Sequence, residues 1–253
     1  MTRAMLSAEI LKLRRNRAVM AFALLLSVGV IVIFFGYNAI EHASDPVAYG
    51  PAGGTHRFAR AVSALGLWFG ALTAILIGGE AGTADIASGV FRDLVATGRS
   101  RLALFLARLP GAIVVTLAFT MTAFLLAVAA TFIFAGGSPT PSLGLILQSA
   151  GWIALSNSIF AALAVGVGSL TGSRAVTLTA VIGWSTIVTQ LLLNIGSLGS
   201  ARDGVLAAAL NQLIPVDRPL SITMATGVAV AVVAAWALVP AAVGAWRTKT
   251  QDA

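Results

Sequence analysis

The chain alternates long apolar runs with short polar breaks, and six of the runs are long enough to cross a bilayer. A helix rises about 1.5 Å per residue, so roughly 20 apolar residues cover the hydrocarbon core. The runs fall at about 18–40, 61–79, 109–135, 143–170, 175–198 and 222–246, and none has a charged side chain in its interior. Gly136-Gly137-Ser138-Pro139-Thr140-Pro141 is a turn signal that separates the third run from the fourth. Thr171-Gly172-Ser173-Arg174 separates the fourth from the fifth. Lipid gives unpaired backbone groups no partner, so each run predicts a helix. The first run is too long for the apolar core of a signal peptide, and no Ala-x-Ala site follows Ile40, so it predicts a retained span. The expected fold is an all-α membrane protein with six transmembrane helices.

The polar breaks carry patterns of their own. Residues 1–17 place Met5, Leu6, Ile10 and Leu13 at helical spacing among small and basic residues. This predicts an amphipathic helix lying in the membrane surface. Residues 80–108 form the most polar interior segment and predict a cytoplasmic connector. Within it Ile86, Val90, Phe91, Leu94 and Val95 fall on one helical face, Gly98 marks a stop, and Ser100 is placed to cap the next helix. A short helix is therefore expected between Asp85 and Thr97, either as a solvated connector or as a docking element. The segment 199–220 is partly apolar, and Val205 to Leu213 predicts a short helix ended by Pro215.

Composition sharpens the choice of solvent. Hydrophobic residues make up 58% of the 253 and charged ones 10%, against roughly 25% charged in soluble domains. The net charge of +7 is not a nucleic-acid signature, because the basic residues flank apolar runs instead of forming a polar face. Twelve Lys and Arg fall on one side of the alternating spans and four (Arg57, Arg60, Arg202, Arg218) on the other. The richer side is expected to be cytoplasmic, with both termini there. Cysteine is absent, which removes disulfides and thiolate metal sites.

The chemistry inside the runs is neutral. No carboxylate, lysine or histidine sits mid-run to relay protons or ions, which argues against a secondary transporter or channel, the main alternative to a driven exporter. His42 and His56 lack the His-Glu-x-x-His spacing, and no Gly-x-Ser-x-Gly elbow occurs, so neither a metal nor a catalytic site is expected. The polar side chains within runs are Ser156, Asn157 and Ser158 in the fourth and Thr177, Thr179, Ser185, Thr186, Thr189, Gln190 and Asn194 in the fifth. They read either as a transport route or as hydrogen-bonding glue between helices. Gly78-x-x-x-Gly82 and Gly168-x-x-x-Gly172 match the small-residue packing pattern.

Taken in order, these features resemble the membrane subunit of type-2 ATP-binding-cassette (ABC) exporters. The resemblance rests on Glu9-Ile10-Leu11-Lys12-Leu13-Arg14-Arg15, on Glu80 closing the second span, on Gly89, Leu94 and Thr97, and on Ser100-Arg101 before the third span. It spans essentially the whole chain and departs at Gly98, where the family often has a proline. It implies an export permease in the cytoplasmic membrane, and the small outer loops and uncharged runs favour an apolar or amphipathic cargo such as a drug, antibiotic, lipid or peptide. Two cytoplasmic ATPase subunits and a second copy of the chain, or a related permease, would complete the assembly. Coupling to the ATPase would involve Glu80, Asp85, Gly89, Arg92, Asp93, Leu94 and Thr97. The second and fifth spans of two subunits would line the route, with Trp68, Phe69, Thr73, Thr186, Thr189, Gln190 and Asn194 as lining candidates beside Asn157 of the fourth. A phosphate loop needs a glycine-rich turn before Lys-Ser/Thr. The two lysines, Lys12 and Lys249, lack one, so this chain would hold no cofactor and ATP with Mg2+ would bind the partner.

Overall fold

The computed structural model describes residues 3–98 and 100–250. Met1 and Thr2 of the expected surface helix, and Arg99 of the connector, lie outside them. Among the described residues the secondary structure is helical, with no strand. In chain order the helices are α1 (Arg3–Arg15), α2 (Arg17–Ser44), α3 (Gly54–Ala87), α4 (Val90–Ala96), α5 (Arg101–Ile133), α6 (Leu143–Thr171), α7 (Arg174–Asn194), α8 (Leu206–Leu213) and α9 (Thr226–Thr250). Six of them, α2, α3, α5, α6, α7 and α9, are long and apolar enough to span a membrane. The protein is a multi-pass, all-α membrane protein.

The helices overrun the apolar runs. The second span extends from Gly54 to Ala87 and the third begins at Arg101. The segment 80–108 is therefore not a connector throughout: Glu80 and Asp85 belong to α3, and Arg108 belongs to α5. Nor do Ile86 and Val95 share one helix. The chain breaks at Ser88–Gly89, where Gly89 takes a left-handed φ of 76° that a residue with a Cβ adopts only with strain. Gly98 is left-handed as well, and Ser100 Oγ accepts the Ala103 N–H at 3.1 Å to cap α5. The fifth span ends at Asn194, and a 3-10 segment, Gly196–Gly204, replaces its expected last turn.

The core sits between α3 and α6. The apolar stretch of α6 is 72% buried and that of α3 61%, whereas those of α2, α7 and α9 are 28%, 22% and 17% buried. Helices in lipid gain little by hiding apolar surface from one another, so close approach of small residues carries the packing. Gly78 faces the Ala161 carbonyl and Ala164, and Gly82 faces Val165 and Gly168, so the Gly78-x-x-x-Gly82 pattern is a contact face. Gly172 is instead the left-handed cap that ends α6. On the far side of α6, Gly166 lies against Pro240 and Gly244 of α9.

The surface helix is part of this packing. Leu13 is buried in a cluster with Val19, Ile77 and Phe105, and Glu9 Cβ lies where α1 crosses Gly111 of α5. Of the apolar face expected to meet lipid, Leu13 is buried in protein, and Met5, Leu6 and Ile10 are half-buried.

Candidate functional site

Two carboxylates near the end of α3 organise one end of the bundle. Glu80 and Asp85 are five residues apart, which at about 100° per residue puts them roughly 140° apart around the helix. Each therefore reaches different neighbours. Lys12 Nζ of α1 lies 3.0 Å from both oxygens of Asp85. Arg108 of α5 donates from Nε and Nη2 to Asp85 Oδ2 at 3.3 and 3.0 Å. Lys12 also pairs with Glu9 one turn back. On the other side, Asn16 Nδ2 donates to Glu80 Oε1 at 2.8 Å, and Arg174 Nη1 lies 3.2 Å from Glu80 Oε2. Asn16 meanwhile caps the span it precedes by accepting the Val19 N–H. Four elements, α1, α5, the start of α2 and the start of α7, are so tied to the last turns of α3.

Burial makes one of these ties unlike the others. Arg108 is fully buried, with its guanidinium 5.3 Å from the centre of the Phe91 ring of α4. A buried cation is tolerated only when paired, and Asp85 supplies the partner. Lys12 and Arg174 keep contact with solvent. The charges that hydropathy places outside the spans thus survive at the helix ends by neutralising one another.

The seven residues expected to meet a partner fall into two groups. Glu80 and Asp85 point into the protein and have their oxygens engaged. Their carboxylates are paired with side chains of other elements of this chain instead of forming an exposed face. Gly89, Arg92, Asp93 and Thr97 are exposed, while Leu94 turns inward toward Met5 and Leu104. The exposed face is thus α4 itself, a helix of 7 residues held between the left-handed Gly89 and Gly98.

A second constellation lies deeper in the bundle. A π-helical turn, Ala64–Trp68, interrupts α3, and Trp68 has φ −118° and ψ −90°, outside the helical range. Such a turn withdraws carbonyls from the regular ladder, and in lipid they need another donor. The donors come from α6: Ser156 Oγ to the Gly66 carbonyl, and Asn157 Nδ2 to the Leu65 carbonyl at 3.2 Å. The Trp152 ring covers Gly66, where even a Cβ would sit 1.9 Å from ring carbon Cζ3. Asn157 is fully buried where it makes this bond, so the structure places it in helix packing and not on a cavity wall. Thr73 is also buried and donates to the Phe69 carbonyl of its own helix.

The break turns Trp68 toward a cavity shared by α3, α6, α7, α8 and α9. Trp68, Trp184, Thr189, Gln190 and Trp236 line it, and the Trp184 and Trp236 rings lie 5.9 Å apart. Its free space is about 20 Å³, enough for about one water, so the helices must part before anything larger enters. Of the remaining lining candidates, Phe69 is exposed on the outer face of α3. Thr186 and Asn194 donate to the carbonyls of Ile182 and Gln190 in their own helix. Trp184 and Trp236 were not singled out from the sequence. An aromatic residue in an apolar run carries no mark of the cavity it faces. No protein-family model matches this chain, and no curated protein does so at a significant level.

Proposed function

We propose that this chain is the membrane-spanning permease subunit of an ATP-driven exporter in the cytoplasmic membrane, driven by two separate ATPase subunits. The observation that carries the reading is the junction of the exposed α4 with the ion-paired end of α3. A push on α4 reaches α3 through Gly89. From there the pairs of Glu80 and Asp85 pass it to α1, α2, α5 and α7. A single docked helix can in this way act on α3 and α7, which carry Trp68 and Trp184 of the cavity wall. The neutral, aromatic lining suits an apolar or amphipathic cargo. The apolar stretch of α7 is only 22% buried, which leaves it free to meet the equivalent helix of a second copy across a shared route. ATP and Mg2+ belong to the partner in this scheme.

Arg92 and Asp93 supply the polar face of α4, so replacing both with alanine is expected to abolish co-purification of an ATPase bearing a phosphate loop. Neither side chain has a hydrogen-bond or ion-pair partner among the described residues, so the melting temperature of the variant should match that of the parent. Retention of both the ATPase and transport by the variant would remove the docking role.

A further inference from the structure

The end of the bundle opposite α1 and α4 carries a basic cleft. It is built from the start of α3, the 135–142 turn and the 214–225 segment. Two adjoining hollows, of about 480 and 310 Å³, share His56 and Asp217. Arg57 lines the first, and Arg60 and Arg218 line the second. These are three of the four basic residues on the side of the membrane that the charge distribution leaves poor in Lys and Arg. Such residues are disfavoured on that side, and these three gather at one place. Neither Arg57 nor Arg60 has a hydrogen-bond or ion-pair partner among the described residues. Among the described residues Arg218 donates only to the Gln212 carbonyl, at 3.5 Å. Asp217 is the one carboxylate on the walls, so the cleft keeps a net positive charge.

The second hollow reaches Trp68, which is also a wall of the small cavity with Trp184 and Trp236. One face therefore runs from guanidinium groups to indole rings. Guanidinium groups suit carboxylate and phosphate oxygens because their donors match both geometries. We propose that this face binds an amphiphile with an anionic head. The head sits among Arg57, Arg60 and Arg218, and the apolar tail is directed at Trp68. The direction of movement rests on the export reading above; the binding does not.

The test uses the full chain in phosphatidylcholine nanodiscs, with empty discs as the baseline. Dodecyl phosphate, dodecyltrimethylammonium and inorganic phosphate serve as probes, and binding is read by thermophoresis. Dodecyl phosphate is expected to bind saturably. The cationic analogue and inorganic phosphate should bind at least about tenfold more weakly, the order of one or two charge-assisted hydrogen bonds. The Arg60→Gln/Arg218→Gln variant should lose at least about tenfold, while Arg60→Lys/Arg218→Lys keeps most of the affinity. Trp68→Leu should weaken dodecyl phosphate and leave inorganic phosphate unchanged. Equal binding of the cationic analogue, or no loss in the glutamine variant, overturns the proposal. Inorganic phosphate binding as tightly as dodecyl phosphate overturns it too, in favour of a free-anion site. No ATPase enters this assay, so its failure leaves the export reading standing, and loss of that reading leaves the binding result standing.

Discussion

Asp85→Ala is expected to destabilise the chain by about 3–5 kcal/mol, the usual cost of leaving a buried charge without its partner. Arg108 is fully buried, and Asp85 accepts both of its paired donors. The third guanidinium nitrogen, Nη1, already lacks a partner, so removal of the carboxylate strands the whole group. Against a typical stability of about 5–15 kcal/mol this is a large fraction. It should appear as early melting and aggregation of the detergent-solubilised chain. Asp85→Ala combined with Arg108→Met should recover most of the loss, because an apolar side chain of similar length needs no counter-charge. Lys12→Ala removes a pair that still touches solvent and should cost no more than about 1 kcal/mol. If Lys12→Ala proved as damaging as Asp85→Ala, burial of Arg108 would not be what sets the cost.

The same cluster explains where hydropathy succeeds and where it stops. Six apolar runs of about the length a bilayer requires predict six spanning helices, and the structure has six helices long and apolar enough to cross a membrane. Their ends were not legible. Glu80, Asp85 and Arg108 each register as a break when taken one at a time. Their charges cancel only across helices that lie far apart in the chain, as between Lys12 and Asp85. The polar residues of the fourth run were ambiguous for a related reason. Ser156 and Asn157 answer a broken turn in α3, and nothing in the order of residues announces a π-helical turn. Glycines divide in the same way. Gly78 and Gly82 are where two helices meet, whereas Gly172 ends one, although the two four-residue spacings look alike on the page.

For the proposed mechanism this arrangement has a consequence. The α3–α6 pair is fixed twice: by glycine contacts along its length and by the Ser156 and Asn157 bonds at the break. Of the helices that carry Trp184 and Trp236 of the cavity wall, α9 is itself held against Gly166 of α6 through Pro240 and Gly244, whereas the apolar stretch of α7 is only 22% buried. Opening the cavity by moving α7 leaves the contacts between α3 and α6 intact. Opening it by separating α3 from α6 would break them. The rigid pair is thus the frame, and Arg174 at the start of α7, paired to Glu80, links the moving part to the carboxylate hub.

Gly78→Val tests the frame and is expected to cost up to about 3 kcal/mol, the upper range for overpacking. A Cβ at Gly78 would lie 2.5 Å from the Ala161 carbonyl oxygen and 2.9 Å from Ala164 Cβ. The first atom belongs to the backbone of α6 and cannot rotate aside, so the helices must separate. Separation also pulls on the hydrogen bonds that satisfy the broken turn of α3, which have no substitute in lipid. Gly151→Val provides the comparison, since a Cβ there meets nothing within 4 Å and the change should stay within about 0.5 kcal/mol. Thermal denaturation followed by intrinsic fluorescence separates the two, and coincident melting curves would refute a close α3–α6 crossing. Adding Ala164→Gly to Gly78→Val removes the side-chain clash and leaves the carbonyl clash, so only part of the stability should return. Full recovery would place the steric limit on the Ala164 methyl and not on the backbone of α6.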